Sequence, residues 1–528
     1  MLKLRIDPER IDPDTSPAWR WDGTSYVTGD GGSRVTPHAH RLVEQVAATD
    51  GTRTVIIVRE RVPGRPVTSP VPLPVTAGEL EEITAQARRW PVDHVLIETA
   101  AHRPVRITAG AVRSTPLFLA HRSGTLHGSW DIADLQPFAA GLNPREATRL
   151  LIYRPRYSID TAFGGIWRLT ERATATFGGD LVIGYPDPVL HAQPRDLADG
   201  ADVLAAFTNG IDAALAARPL APAETVCHLT GGLDSGSIGT RVADRWPGQV
   251  NTATLIIVGP GRRQQIRRRA EILTKVPFGP HDLRLDTQDR LMFAPADARV
   301  RGKLVSPYDE PLYEHFTDLN TQIAALGAHT VVTGLGGDEM VAVGSAESAQ
   351  AAADKADNYE LPWLGARACA AIEYGDDGIA PPAMAGGITL LAAECVAPPL
   401  LRAGLWPVHP FMHPALVELG DRLPYFWRDL KQLQRRHLAT FGLSHDACNP
   451  KERESFAELV EESLTLHGVP LLRRILDEGS PLIEAGLIDP DGLKASVVDL
   501  ETGPYTEEPY SKLIEVITLD QAAQAFLP

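Results

Sequence analysis

His228-Leu229-Thr230-Gly231-Gly232-Leu233-Asp234-Ser235-Gly236-Ser237 is the stretch on which the reading of this 528-residue chain turns. Ahead of it Glu224-Thr225-Val226-Cys227-His228-Leu229 is short and largely apolar, the pattern of a buried strand. Behind it Ile238-Gly239-Thr240-Arg241-Val242-Ala243 opens a helical pattern. A strand, a glycine turn carrying hydroxyls and a helix N-terminus make an anion cradle, because free backbone N–H groups and the helix dipole favour negative charge. Glycine lets the backbone approach a phosphate and supplies φ values that other residues avoid. The carboxylate of Asp234 inside such a cradle makes sense when a divalent cation sits between it and the phosphates. The Gly-Lys-Ser/Thr ending of a P-loop is absent. Taken alone, the stretch also reads as a glycine turn ahead of an ordinary helix.

A second stretch completes the argument. Ala328-His329-Thr330-Val331-Val332-Thr333 is a β-branched strand, and Gly334-Leu335-Gly336-Gly337-Asp338-Glu339 follows at once. Two strand ends with glycine turns and acidic residues are expected to converge at the carboxyl edge of one parallel sheet, where such folds bind ligands. Asp234 and Asp338 would then bracket one magnesium-bound triphosphate.

The first stretch resembles the Ser-Gly-Gly-x-Asp-Ser loop of ATP pyrophosphatases, which cut ATP between the α and β phosphates, with Thr230 in place of the first serine. The two stretches in this order resemble the asparagine synthetase and β-lactam synthetase superfamily. That resemblance implies an α/β chain in two parts. Residues 1–197 would form a degenerate Ntn-hydrolase-like layered domain of the type II glutamine amidotransferase kind. Residues 198–528 would form an ATP-pyrophosphatase domain, adenine nucleotide alpha hydrolase-like, with a parallel sheet and a helical C-terminal part. The resemblance further implies ATP and Mg2+ as cofactors. It assigns Thr230, Gly231, Gly232, Asp234, Ser235, Leu255, Gly334 and Lys431 to the nucleotide, and Asp234 and Asp338 to the metal. Lys431 would bind pyrophosphate. Lys451, in Asn449-Pro450-Lys451-Glu452-Arg453-Glu454, would act in catalysis, although the family's Arg-Pro-Lys-x-Gly pattern differs at both ends. The β-lactam-forming branch uses a Tyr/Glu pair and a lysine. Glu394, in the apolar run Leu390 to Val396, matches the glutamate, and the tyrosine position falls on Leu335.

The bulk numbers narrow the class. Hydrophobic residues are 44% of the chain and charged residues 22%, as in ordinary globular proteins, and two or three domains are expected. A net charge of −16 argues against nucleic acid as the main partner. No run of eighteen apolar residues and no signal-peptide pattern is found, so neither a membrane partner nor secretion is expected. The scattered Cys227, Cys369, Cys395 and Cys448 lack metal-ligand spacing and read as buried thiols in a reducing cytoplasm.

Along the chain, residues 1–197 alternate strand-like runs with turn signals, and helical patterns are read at His38 to Ala48 and Ala77 to Arg89. Substantial antiparallel pairing is expected there. Segments such as Ser114 to His121, Gly124 to Trp130 and Phe163 to Leu169 resemble a degraded amidotransferase domain. Such domains use an N-terminal cysteine nucleophile. Here Leu2 follows Met1 and no Cys, Ser or Thr precedes Thr15, so no release of ammonia from glutamine is expected. Pro194 to Asp199 reads as the joint. The arginine-rich run Arg262 to Arg269 reads as a solvated helix face, with phosphate or acidic-peptide contact as the alternative. Tyr308-Asp309-Glu310-Pro311 resembles the family's acidic turn near the nucleotide, or is a plain helix start. Ser345 to Ala353 reads as a lid or a surface helix, and His409 and His413 as core or turn residues.

These readings converge on amide-bond formation through an acyl-adenylate, with AMP and pyrophosphate released. With a silent front domain the amine must be free ammonia or part of the substrate. The favoured branch is a lasso peptide macrolactam synthetase, joining the core peptide's N-terminal amine to an Asp or Glu side chain. A precursor core peptide is then the partner, with a leader peptidase and a leader-recognition protein alongside. The alternatives are a β-lactam synthetase or other small-molecule amide synthetase, and a non-catalytic scaffold for ATP or peptide.

Overall fold

In the computed structural model, residues 1–11, 19–344, 347 and 361–528 are described. Five parallel strands carry the glycine stretches. Their spatial order is Asp282–Asp286, Asn251–Ile256, Thr225–His228, Thr330–Val332 and Trp406–Val408. In chain order this is three, two, one, four, five. The direction of the connections therefore reverses between Thr225–His228 and Thr330–Val332, which pair in register as Val226↔Val331 and Cys227↔Val332. Such a reversal opens a crevice at the carboxyl ends of the two central strands. Val226, Cys227, Val331 and Val332 are fully buried, as strands covered on both faces require.

The front of the chain forms two seven-stranded sheets. In the first, Leu2–Ile6 lies antiparallel between Arg34–Pro37 and Thr125–Ser129. In the second, Arg53–Glu60 lies antiparallel between Val43–Thr49 and His94–Ala100, and the short Leu73–Pro74 joins the edge in parallel. The expected helix at Ala77 to Arg89 is present as Ala77–Arg88, started by a capping box between Thr76 and Glu79. The helix expected at His38 to Ala48 is instead the strand Val43–Thr49. Its alanines favour a helix in isolation, but the turn that follows decides otherwise. Asp50 Oδ1 accepts from the N–H groups of Thr52 (2.9 Å) and Arg53 (2.7 Å), and Gly51 takes φ +89°. That hairpin commits Val46 to pairing with Ile57 and Thr49 with Thr54.

The apolar interior runs across residues 197 and 198. One cluster joins Met1, Leu2 and Val35 of the front sheets to Phe207, Cys227 and Trp406. Another joins Phe118 and Phe163 to Val226, Leu319 and Phe526. Polar clips reinforce this seam. Arg218 donates to both Glu60 oxygens (2.8 and 2.6 Å), and the Trp406 indole N–H donates to the same carboxylate (2.5 Å). Arg402 donates to both oxygens of Asp131 (2.8 Å each). All four cysteines are free. Cys227 and Cys448 are buried as expected, but Cys395 is half-buried and Cys369 exposed. Among the described residues no helix is long and apolar enough to cross a membrane.

Candidate functional site

The first loop is built to close on itself. Beyond strand Thr225–His228 the chain reverses at Gly231, with φ +97°, which favours glycine. The Thr230 hydroxyl accepts from the Gly232 N–H (3.1 Å) and shares a hydrogen bond with the Ser235 hydroxyl (2.9 Å). Ser235 Oγ in turn accepts from the Thr230 N–H (3.1 Å). Gly232 caps the helix Leu233–Arg245 without any side-chain hydrogen bond. The first-turn N–H groups of that helix are therefore free of a capping side chain.

The second loop lies against the first. A methyl group on Gly334 would come within 2.5 Å of the Ser235 nitrogen, and one on Gly337 would overlap the Asp234 carboxyl carbon. Gly336 takes φ +93°. This packing brings Asp234 and Asp338 together. The Lys431 ammonium bridges them, 2.5 Å from Asp234 Oδ2 and 2.6 Å from Asp338 Oδ1. Gln434 Nε2 donates to Asp234 Oδ1 (3.2 Å) and to the Gly337 carbonyl (3.3 Å). Leu430 and Lys431 both carry left-handed backbone, φ 45° and 56°. Burial pushes the Asp234 carboxyl up, Lys431 opposes that shift, and Asp338 adds to it. Burial alone would lower the Lys431 ammonium, but the two aspartates together raise it.

Two carboxylates sharing one cation is also the arrangement a divalent ion needs, so the donor set fits Mg2+. Among the described residues no cluster of three or more His, Cys, Asp or Glu side chains is arranged around a metal. Such an ion would complete its shell from phosphate oxygens and water, as Mg2+ commonly does.

The two loops open onto a cavity of about 780 Å³. Of the residues expected at the site, Thr230, Gly232, Asp234, Ser235, Gly334, Asp338, Lys431 and Lys451 line it. Three do not. Gly231 belongs to the loop but packs beneath Arg269, whose Cγ would lie 3.0 Å from an added methyl. Leu255 is buried in the apolar cluster that also holds Val226, within strand Asn251–Ile256. Glu394 turns the other way. It sits on the helix Gly387–Arg402, whose next residues Cys395 and Val396 reach the cavity. Successive helical side chains diverge by about 100°, and Glu394 points into the seam with the front sheets. There Arg168 Nε donates to Glu394 Oε2 (2.7 Å), while Arg168 Nη1 donates to the carbonyls of Ser158 (2.9 Å) and Asp160 (2.8 Å). Burial pushes the Glu394 carboxyl up, and Arg168 pulls against it. Glu394 is thus one half of a buried ion pair.

Several lining residues were not singled out from the sequence as site residues. Arg268, Arg435 and Arg453 add positive charge, and Glu454 adds negative charge. Arg268 is buried, donating to the Ala447 carbonyl (2.9 Å) and to Glu454 Oε1 (3.2 Å). The solvated-face reading of the arginine run therefore holds for Arg263 and Arg267, which are exposed, and fails for Arg268 and Arg269. Arg269 donates to the Leu229 carbonyl and to Asp282 (2.5 Å each), pinning the first loop to the sheet. Within the acidic turn, Asp309 pairs with Arg402 (3.4 Å), whereas Glu310 lines the cavity. His409 is a buried turn residue, its Nδ1 hydrogen-bonded to the Thr333 hydroxyl (2.8 Å). The stretch Ser345 to Ala353 lies outside the described residues apart from Glu347, which pairs with Arg428. No protein-family model matches the chain, and no curated protein matches it.

Proposed function

We propose that this chain forms amide bonds at the expense of ATP, activating a carboxylate as its adenylate and releasing pyrophosphate and then AMP. One observation carries the reading. Asp234 and Asp338, 104 positions apart by subtraction of their numbers, share a single cation at the switch point of a parallel sheet, beside an uncapped helix start. The hydroxyls of Thr230 and Ser235 and the uncapped first-turn N–H groups of Leu233–Arg245 supply donors for phosphate oxygens. Lys431, Arg268 and Lys451 line the same cavity and supply positive charge for the triphosphate and the departing pyrophosphate. Mg2+ held by Asp234 and Asp338 would neutralise phosphate charge.

A carboxylate is a poor acyl donor until one oxygen is made a leaving group. Its attack on the α-phosphate forms the C–O–P linkage and breaks the bond to the β-phosphate. An amine then displaces AMP. We take that amine from the substrate itself, since the first 226 residues contain no cysteine to release ammonia from glutamine. The favoured reaction is therefore macrolactam closure of a peptide between its N-terminal amine and an Asp or Glu side chain.

The test is product analysis with Mg-ATP and short peptides bearing a free N-terminus and an acidic residue at varied positions. AMP and pyrophosphate, with loss of one water from the peptide mass, are expected. Asp234→Asn and Asp338→Asn should each abolish both. Formation of ADP and phosphate, or no nucleotide binding at all, overturns the proposal.

A further inference from the structure

Glu394 leaves the cavity without the carboxylate that the amine step was expected to use. The cavity holds another. Glu310 lines it just ahead of the helix Tyr313–Ala325, which presents Tyr313, Phe316 and Asn320 to the same space. Their spacing of three and four residues sets them on one helical face. Asn320 is only 2% exposed, yet its Oδ1 has no hydrogen-bond partner. A buried acceptor in the wall of a cavity, with no donor, marks the place of a missing one.

Glu310 is exposed at the cavity and has no partner cation among the described residues. It forms no salt bridge there, and Arg299, the cation that pulls on it, donates instead to the Asp309 carbonyl (2.9 Å). Its charge is felt nearby: burial and Glu310 together push the Glu515 carboxyl up to about 7.

We propose that Glu310 and Asn320 form the subsite that receives the amine substrate as a primary ammonium, held against the Tyr313 and Phe316 rings. This rests on the amide-forming reading above. An ammonium carries three N–H donors, enough for the carboxylate and the carboxamide oxygen together. The aromatic faces favour a cation as well. The exocyclic amino group of adenine could satisfy Asn320 but, being neutral, would leave Glu310 unmatched.

In the reaction Glu310 takes one proton from the ammonium. The freed nitrogen lone pair forms the N–C bond to the acyl carbon of the adenylate. The bond from that carbon to the AMP oxygen breaks, and AMP leaves with the electron pair. The remaining extra proton on nitrogen passes to water.

Benzylammonium serves as the test ligand, followed by saturation-transfer NMR on the full-length protein, with benzyl alcohol as the neutral control. The Mg-ATP response is read separately, as a thermal shift. Benzylammonium is expected to bind the wild type, about tenfold or more weakly to Glu310→Gln, and several-fold more weakly to Asn320→Ala. Glu310→Asp, which keeps the charge, should bind better than Glu310→Gln, and the Mg-ATP shift should persist in all three. Equal benzylammonium binding by wild type and Glu310→Gln, or none by wild type, overturns the assignment. So does loss of the Mg-ATP shift in Asn320→Ala with benzylammonium binding intact, which would give the subsite to the adenine. Failure of the wild type to bind Mg-ATP instead overturns the amide-forming reading itself.

Discussion

Replacing Lys431 by methionine should turn the protein from one that tolerates metal-free buffer into one stabilised by Mg2+. Methionine keeps much of the aliphatic length and removes the charge that holds Asp234 and Asp338 together. The Asp234 side chain is 17% exposed and that of Lys431 24%, so water screens their pair only in part. Breaking a well-buried pair costs about 3–5 kcal/mol. Asp338, 77% exposed, will relax into solvent and lose little. The expected cost is therefore below that range, about 2 kcal/mol. In the variant the two carboxylates are open to a divalent ion that binds only the folded state. At ten times its dissociation constant such an ion restores about 1.4 kcal/mol. In the wild type the ion must first displace the lysine, so its effect is smaller. Urea unfolding followed by tryptophan fluorescence, in EDTA and in Mg2+, measures both terms. If the variant equals the wild type in EDTA, or if Mg2+ stabilises both equally, the shared-cation account of the aspartates is wrong.

Other substitutions separate positions that chemistry or packing decides. Glu394→Gln should leave the buried Arg168 guanidinium unpaired and lower stability by about 3 kcal/mol; a folded, equally stable variant with selectively lost turnover would return Glu394 to the reacting groups. Gly334→Ala drives a methyl against the Ser235 nitrogen and should weaken Mg-ATP binding by calorimetry, with an overpacking cost of about 1–3 kcal/mol. Buried histidines contribute to the pH dependence of stability, among them His409 and His437, which burial holds down to about 3 and about 4. In the unfolded chain both titrate near 6.5, so that state binds more protons below this value. Their contribution is full above pH 6.5 and falls as the pH drops, by up to about 1.4 kcal/mol per unit for each histidine. His437→Gln should flatten the urea midpoint between pH 6.5 and 5 by about one proton's worth, and an unchanged slope would refute the assignment.

The two glycine loops were legible because close packing leaves so few residues able to stand there. Gly334 and Gly337 press on Asp234 and Ser235, and that constraint writes itself into the spacing. The buried strands beside them are β-branched or apolar for a similarly local reason. Glu394 is buried with its carboxyl pushed up, as its apolar run implies, but which side of a two-faced helix looks inward is not written in that run. One and two positions along, Cys395 and Val396 meet the cavity. Leu255 went the same way, since strand alternation says which face a residue takes but not how far a cavity extends. Val43–Thr49 was lost to its alanines, whose helical preference yields to a hairpin only when the partner strand is known. Asn320 carried a usable signal, its spacing from Tyr313 and Phe316, but only the missing hydrogen bond gives that spacing a purpose.

The clip at Glu60 has a consequence for anyone dissecting this molecule. Trp406, on the outermost parallel strand, anchors its indole on a carboxylate supplied from more than three hundred positions earlier, and Arg218 fastens to the same group. A gene cut at the joint would therefore yield two sticky fragments rather than two working modules, each with a raw apolar flank and orphaned charges. The front sheets thus complete an apolar core that the rest of the chain cannot close alone.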